Sequence, residues 1–293
     1  MGTCDQSRRT LLRVLPVLAC PSVLRAGTGA QATAEERFAA IERGLGGRLG
    51  VAALDTGTGR RLVYRGSDLF PMCSTFKFLL AACVLRRVDG MTEDLHRLIS
   101  YTEMDLLGHA PVTRAHVKEG ALPVGELCAA AVEVSDNTAA NLLLASVEGP
   151  AGLTAFIRSL GNDVTRLDRN EPDLNSNLPG DPRDTTSPAA MLDSMEKLLT
   201  GNALSQASRS QLNAWLEQST TGADRLRAGF PPGWRAGDKT GTGEHGAVGD
   251  LGIFWPTGKR PILVAAYMIE GNASAEQREA AIAAVGRVVA ESL

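Results

Sequence analysis

The sequence predicts an α+β fold: one antiparallel five-stranded sheet, flanked by helices and built from both ends of the chain, with an all-helical segment inserted between its halves. Three observations carry this. Strand patterns occur near 48–55 and 60–64, then not again until 235–242, 246–255 and 262–269. The stretch between, roughly 68–216, reads as helices and loops. A last apolar-periodic run, 275–291, closes the chain as a helix. At 293 residues there is ample length for a large core.

In order, the 34–45 helix follows from Phe38, Ile41 and Leu45, which share one face. Thr56-Gly57-Thr58-Gly59 turns the first strand into the second. Pro71 and small polar residues mark a helix start, and the unbroken apolar run 78–85 makes 74–87 a helix buried on all sides. Further helices are read at 123–134, 138–147, 151–160, 187–200 and 205–216. The turn Pro256-Thr257-Gly258-Lys259 joins the last two strands. There are no internal repeats. The expected division is a discontinuous sheet domain, 33–67 with 217–293, and a helical domain, 68–216.

Residues 1–32 have the pattern of an export signal. Ser7-Arg8-Arg9-Thr10 carries a twin arginine, 14–24 is weakly apolar, and Ala30-Gln31-Ala32 is an A-x-A cleavage site. Arg13, Pro16 and Arg25 leave the run too short and interrupted to span a membrane. The expectation is a periplasmic monomer exported by the twin-arginine route. A lipoprotein anchored at Cys20 is the alternative, because Val17-Leu18-Ala19-Cys20 loosely fits a lipidation box. A net charge of −3 and 4% aromatic residues give neither a basic patch nor a stacking surface, so nucleic acid is not an expected partner. Cys4 and Cys20 would leave with the signal; Cys73, Cys83 and Cys128 remain, an odd number that leaves a free thiol. His96, His109, His116 and His245 lack metal-ligand spacing, and neither metal nor cofactor is expected.

Chemistry concentrates in three motifs. Ser74 falls at the start of the buried helix, where free N–H groups and the helix dipole favour developing negative charge. Lys77 lies three residues on, over the same face, and burial lowers a lysine toward a usable base. A nucleophile beside a base is the minimum for covalent catalysis. Alone, a Ser-x-x-Lys match is expected about once by chance in such a chain. Ser135-Asp136-Asn137 alone reads as a helix N-cap, and Lys239-Thr240-Gly241 as a strand ending at a glycine turn. Together and in this order, they are the set found in class A β-lactamases and penicillin-binding proteins.

On these motifs the sequence resembles a class A serine β-lactamase, over residues 34–293. Thr165-Arg166-Leu167-Asp168-Arg169-Asn170-Glu171-Pro172-Asp173-Leu174-Asn175 is similar to the family's omega loop, here 166–184, with Asp184 available to pair with Arg169. Penicillin-binding transpeptidases lack this glutamate loop. The resemblance implies an active site between the two domains, small β-lactams (penicillins or cephalosporins) as substrates, and antibiotic resistance as the outcome. It implies that Ser74 forms an acyl-enzyme, that Ser135 relays a proton to the departing nitrogen, and that Glu171 activates a water oriented by Asn175. Whether Lys77 or Glu171 takes the Ser74 proton stays open. The N–H groups of Ser74 and Thr242 would hold the oxyanion. Lys239, Thr240 and Gly241 would receive the substrate carboxylate, Asn137 its side-chain amide, and His109 would sit on the rim. Where many members carry an arginine beside the K-T-G strand this chain has Val248; Arg225 falls where other members supply that charge, and would grip the carboxylate through two hydrogen bonds. Arg227 is expected to be dispensable.

Two departures concern cysteine. Cys73 precedes the nucleophile, as in the carbapenem-hydrolysing subset, but the place of its bonding partner is Gly243. Cys128 matches one half of a helix-to-helix bridge whose other half is Ala81; Cys83, two residues along, is about 200° round the helix and a poor substitute. Rival readings are a penicillin-binding sensor that stays acylated and a cell-wall D-Ala-D-Ala peptidase. Glu171 in its loop argues against both, because only a lactamase needs rapid deacylation.

Overall fold

All five predicted strands join one sheet. In a computed structural model, which describes residues 1–3 and 32–293, β1 (Arg48–Asp55), β2 (Arg61–Tyr64), β7 (Arg235–Thr242), β8 (Val248–Trp255) and β9 (Ile262–Ile269) pair antiparallel in the order β2-β1-β9-β8-β7. The twin-arginine motif, the lipidation box, Cys4 and Cys20 lie outside the described residues. Central β9 is buried throughout, whereas edge strand β2 alternates between exposed and half-buried residues. Short ladders β3 (Phe70–Pro71) with β6 (Thr185–Thr186), and β4 (Leu98–Ser100) with β5 (Ala121–Pro123), are too brief for alternation to show in sequence.

Helices α1 (Ala34–Leu45) and α10 (Ala275–Ser292) cover one face of the sheet, where Phe38, Val51, Phe254 and Val285 share a core. The other face joins a larger core with α2 (Phe76–Asp89), α4 (Val124–Glu133), α5 (Asn137–Ser146), α6 (Gly149–Ser159), α7 (Pro188–Met195) and α8 (Gln206–Glu217). Short helices α3 (Pro111–Ala115) and α9 (Leu226–Gly229) complete the set. Every residue of α2 from Phe76 to Leu85 is buried. At ~1.5–3 kcal/mol for each large apolar side chain removed from water, this helix is an anchor of the helical layer. Thr33–Leu293 packs as one compact unit. No single helix among the described residues is long and apolar enough to cross a membrane.

Of the boundaries that differ from expectation, three have a local cause. The 74–87 helix begins as a 3-10 turn, Cys73–Thr75, because Cys73 takes a positive φ of 44° and α2 starts only at Phe76. Strand β8 starts at Val248 rather than 246, since His245 and Gly246 both turn through left-handed conformations. Helix α7 ends at Met195 and widens into a π-helical turn, Glu196–Thr200.

Candidate active site

The three motifs meet at the junction of α2, the Ser135 turn and edge strand β7. Gly241 allows it: a Cβ there would lie 2.7 Å from the Met72 carbonyl and 3.2 Å from Cys73 Cβ, so only glycine lets β7 close on the Ser74 turn. That turn is held from beneath by Thr75, whose hydroxyl donates to Met72 O at 2.7 Å and lies 3.1 Å from the buried Tyr267 hydroxyl. Asp136 fixes the second motif. Its carboxylate caps α5 through Ala139 N (2.9 Å) and also accepts from the N–H groups of Val112 and Thr113, so the predicted N-cap ties α5 to α3 as well. Ser135 beside it takes a φ of 60°.

Lys77 is the hub. Its Nζ lies 2.9 Å from Ser74 Oγ, 2.9 Å from Ser135 O, 3.3 Å from Ser135 Oγ, 2.5 Å from Asn137 Oδ1 and 3.0 Å from Glu171 Oε1. An ammonium has three hydrogens, so these oxygens compete for them and the amine can shift its allegiance without moving. The side chain is fully buried, and loss of hydration lowers its pKa although Glu171 opposes the shift. Ser74 Oγ has a second basic neighbour, Glu171 Oε1 at 3.4 Å.

Glu171 is delivered by the loop predicted from sequence. Asn141 on α5 clamps its backbone both ways, accepting from Glu171 N at 3.0 Å and donating to Glu171 O at 2.9 Å. Asn175 Nδ2 donates to Glu171 Oε2 at 2.5 Å, while Asn175 Oδ1 is buried without a donor. The neck is closed by Asp184, which accepts from Arg169 Nε at 2.6 Å and from the N–H groups of Asp168 and Arg169 at 2.7 and 2.9 Å. Pairing of β3 with β6 places that neck beside the Ser74 turn.

On the opposite wall, Lys239 Nζ donates to Ser135 Oγ at 3.1 Å. Burial, with Lys77 nearby, lowers the Lys239 pKa to about 7. Ser135 thus stands between two amines. Thr240 Oγ1 lies 2.6 Å from Thr221 Oγ1. A cleft of about 300 Å³ is lined by Ser74, Ser135, Asn137, Thr240, Thr242 and Arg225, with His109 on its exposed rim, its Nε2 2.9 Å from Val134 O.

Arg225 reaches the cleft from behind. Its Nη1 donates to Gly241 O (3.0 Å) and Gly249 O (3.1 Å), and its Nη2 to Thr242 Oγ1 (2.7 Å), with Glu279 Oε1 3.5 Å away. With Nη1 spent on main-chain carbonyls, the two-bond grip expected from sequence gives way to positive charge and a fixed Thr242 hydroxyl. The expectation for Arg227 is corrected outright: its guanidinium pairs with the buried Asp238 at 2.5 Å and donates to Leu216 O. Val248 packs in the core beyond the sheet. Cys73, Cys83 and Cys128 are all free and buried. A Cβ at Gly243 would stand 2.8 Å from Cys73 Sγ and 2.1 Å from Asn177 Nδ2, so the Asn177 amide fills the space beside the thiol. Burial pushes that thiol up to about 12.

Sequence reasoning missed Thr221, Asn141 and Tyr267. Asn141 carried the only signal, a polar residue four positions after Asn137 on an otherwise apolar helix. The other two look like any loop threonine and any strand tyrosine.

A model of the beta-lactamase enzyme family matches residues 33–293. The chain is 46% identical to the carbapenem-hydrolyzing beta-lactamase KPC of Klebsiella oxytoca over 288 residues, 97% of this chain and 98% of that protein. It is 41% identical to the beta-lactamase CTX-M-8 of Citrobacter amalonaticus over 281 residues, 95% of this chain and 96% of that protein. A solved ancestral (GNCA) class A beta-lactamase superposes with a TM-score of 0.88 at 57% identity, covering 89% of this chain and all of that one. With matches of that extent on a fold that gathers all three motifs around one cleft, the chain belongs to the class A β-lactamases, hydrolases that open the β-lactam ring and confer resistance.

Proposed function

We propose that the enzyme hydrolyses penicillins and cephalosporins through an acyl-enzyme on Ser74, cleared by a water that Glu171 activates. One observation supports it above the others: the reactive atoms of Ser74, Lys77 and Glu171 lie within 3.4 Å of one another, while the far oxygen of Glu171 is held by Asn175. Ser74 Oγ gives up its proton to this cluster as it attacks the ring carbonyl. The oxyanion is held by the Ser74 and Thr242 N–H groups, and losing one such donor typically costs ~3–4 kcal/mol. Ser135, between Lys77 and Lys239, passes a proton to the ring nitrogen as the C–N bond breaks. Water then enters beside Glu171, with the unpaired Asn175 Oδ1 to orient it, and attacks the ester. Lys239 and Thr240 take the substrate carboxylate, backed by the charge of Arg225, and Asn137 takes the side-chain amide.

A chromogenic cephalosporin tests this reading. Purified protein should turn it over many times, and Ser74→Ala should abolish turnover while leaving the protein folded. A single stoichiometric burst without turnover would favour the sensor instead. The leader's twin arginine further supports export to the periplasm. Replacing Arg8 and Arg9 together by Lys should strand the activity in the cytoplasm, and continued export would contradict it.

A further inference from the structure

Two carboxylates outside this mechanism lie in the sheet behind the carboxylate-binding wall. Asp238 and Asp250 are both fully buried. The register sets Asp238 opposite Gly252 and Thr240 opposite Asp250, so the two acids are diagonal neighbours on one face of β7 and β8. Each has a single anchored oxygen: Asp238 Oδ1 accepts from Arg227 Nε at 2.5 Å, and Asp250 Oδ2 from Leu226 N at 3.0 Å. The other two oxygens, Asp238 Oδ2 and Asp250 Oδ1, are buried with no donor at all. A Cβ at Gly222 would fall on Asp238 Oδ2, so only glycine at that position leaves this oxygen its place.

Two fully ionised carboxylates here would each bury an unpaired oxygen beside a like charge, which is costly in a fully buried site. One proton relieves both problems. The charged and titratable groups facing the pair are Arg225 and Arg227, Lys239 on β7 itself and the Tyr267 phenol on β9; Glu279 of α10 reaches the cluster through Arg225. Burial raises the pKa of Asp238 although Arg227 opposes the shift, and burial together with Asp238 raises that of Asp250 to about 8.

We propose that Asp238 and Asp250 hold one proton between them in the resting enzyme and act as a positioning pair for the substrate carboxylate. Arg225 and Arg227, joined by Lys239 where it is protonated, are then opposed by Glu279 and one shared negative charge instead of two, which leaves the wall one negative charge fewer to repel an anionic ligand. As pH rises through about 8 the proton leaves, a second negative charge appears behind the wall, and its pull on a carboxylate weakens. This rests on the reading that Lys239, Thr240 and Arg225 receive that carboxylate.

The test uses the full chain and its Asp250→Asn variant, whose amide remains a neutral donor at every pH. Infrared spectroscopy of the unliganded wild type at pH 7 should show a carboxylic acid C=O band that vanishes above pH 9 and is missing from Asp250→Asn. With benzylpenicillin as substrate, the wild-type KM should climb more steeply than the variant's between pH 7 and 9, by about tenfold for one charge roughly 10 Å away. Lys239 titrates in both proteins, so the ratio of the two profiles isolates the pair. No acid band at pH 7 would overturn the shared proton, and superimposable KM profiles would overturn the positioning role. The band is read without substrate, so its failure is separate from any failure of the proposed hydrolysis, and the wild-type pH series stands even if the variant does not fold.

Discussion

At Lys77 two effects oppose each other: burial favours the neutral amine, and Glu171 at 3.0 Å favours the ammonium. Burial prevails, so a proton can be passed among Lys77, Ser74 and Glu171 at little cost. Arg225 shows the opposite balance, an obligate cation spread over carbonyls and a hydroxyl. Arg225→Ala should lower kcat/KM for penicillins by roughly 10- to 150-fold, since hydrogen bonds to charged groups are worth ~1.5–3 kcal/mol. Arg227 cannot serve as the control because it neutralises Asp238; the exposed Arg43 can, and Arg43→Ala should change little. Equal losses in both variants would contradict the role of Arg225. The groups that meet in the cleft were legible in the sequence because Ser74, Lys77 and Glu171 each sit in a recognisable motif. Thr221 and Tyr267 were not, because their partners come from distant segments and no local pattern records such contacts.

Among the elements, α2 and the omega loop show how differently order is enforced. Helix α2 is fixed by burial on all sides. The loop is polar, and its neck depends on Asp184, which is buried and gathers Arg169 with two backbone N–H groups. Asp184→Ala leaves those donors unmatched, and removing one partner of a buried pair costs about 3–5 kcal/mol. Urea unfolding should register a loss of that order, with faster proteolysis within 166–184 and altered preference for bulkier substrates. A change below about 0.5 kcal/mol with an unaltered profile would show that the loop is held otherwise. Long periodic helices and strands were readable from sequence. Their ends were not, because a positive-φ residue such as Cys73 sets one without a glycine to announce the turn.

Across the whole molecule, the site exists because segments distant in sequence are brought to one junction. The β7 edge comes from the C-terminal part of the sheet, and Ser74, Ser135 and Glu171 come from the helical layers. The sheet built from both termini carries the β7 wall of the cleft, with one core on each face. In the proposed mechanism the acyl-enzyme forms between these walls and is then cleared, and separating those two steps is the sharpest test of it. Glu171→Ala should still acylate, because Ser74 keeps Lys77 at 2.9 Å, but no other carboxylate in the motifs can activate the water. Intact-mass spectrometry after mixing the variant with benzylpenicillin should show one long-lived adduct of the whole antibiotic, mapped by peptide analysis to Ser74. Turnover at the wild-type rate with no accumulated adduct, or an adduct on a residue other than Ser74, would contradict it.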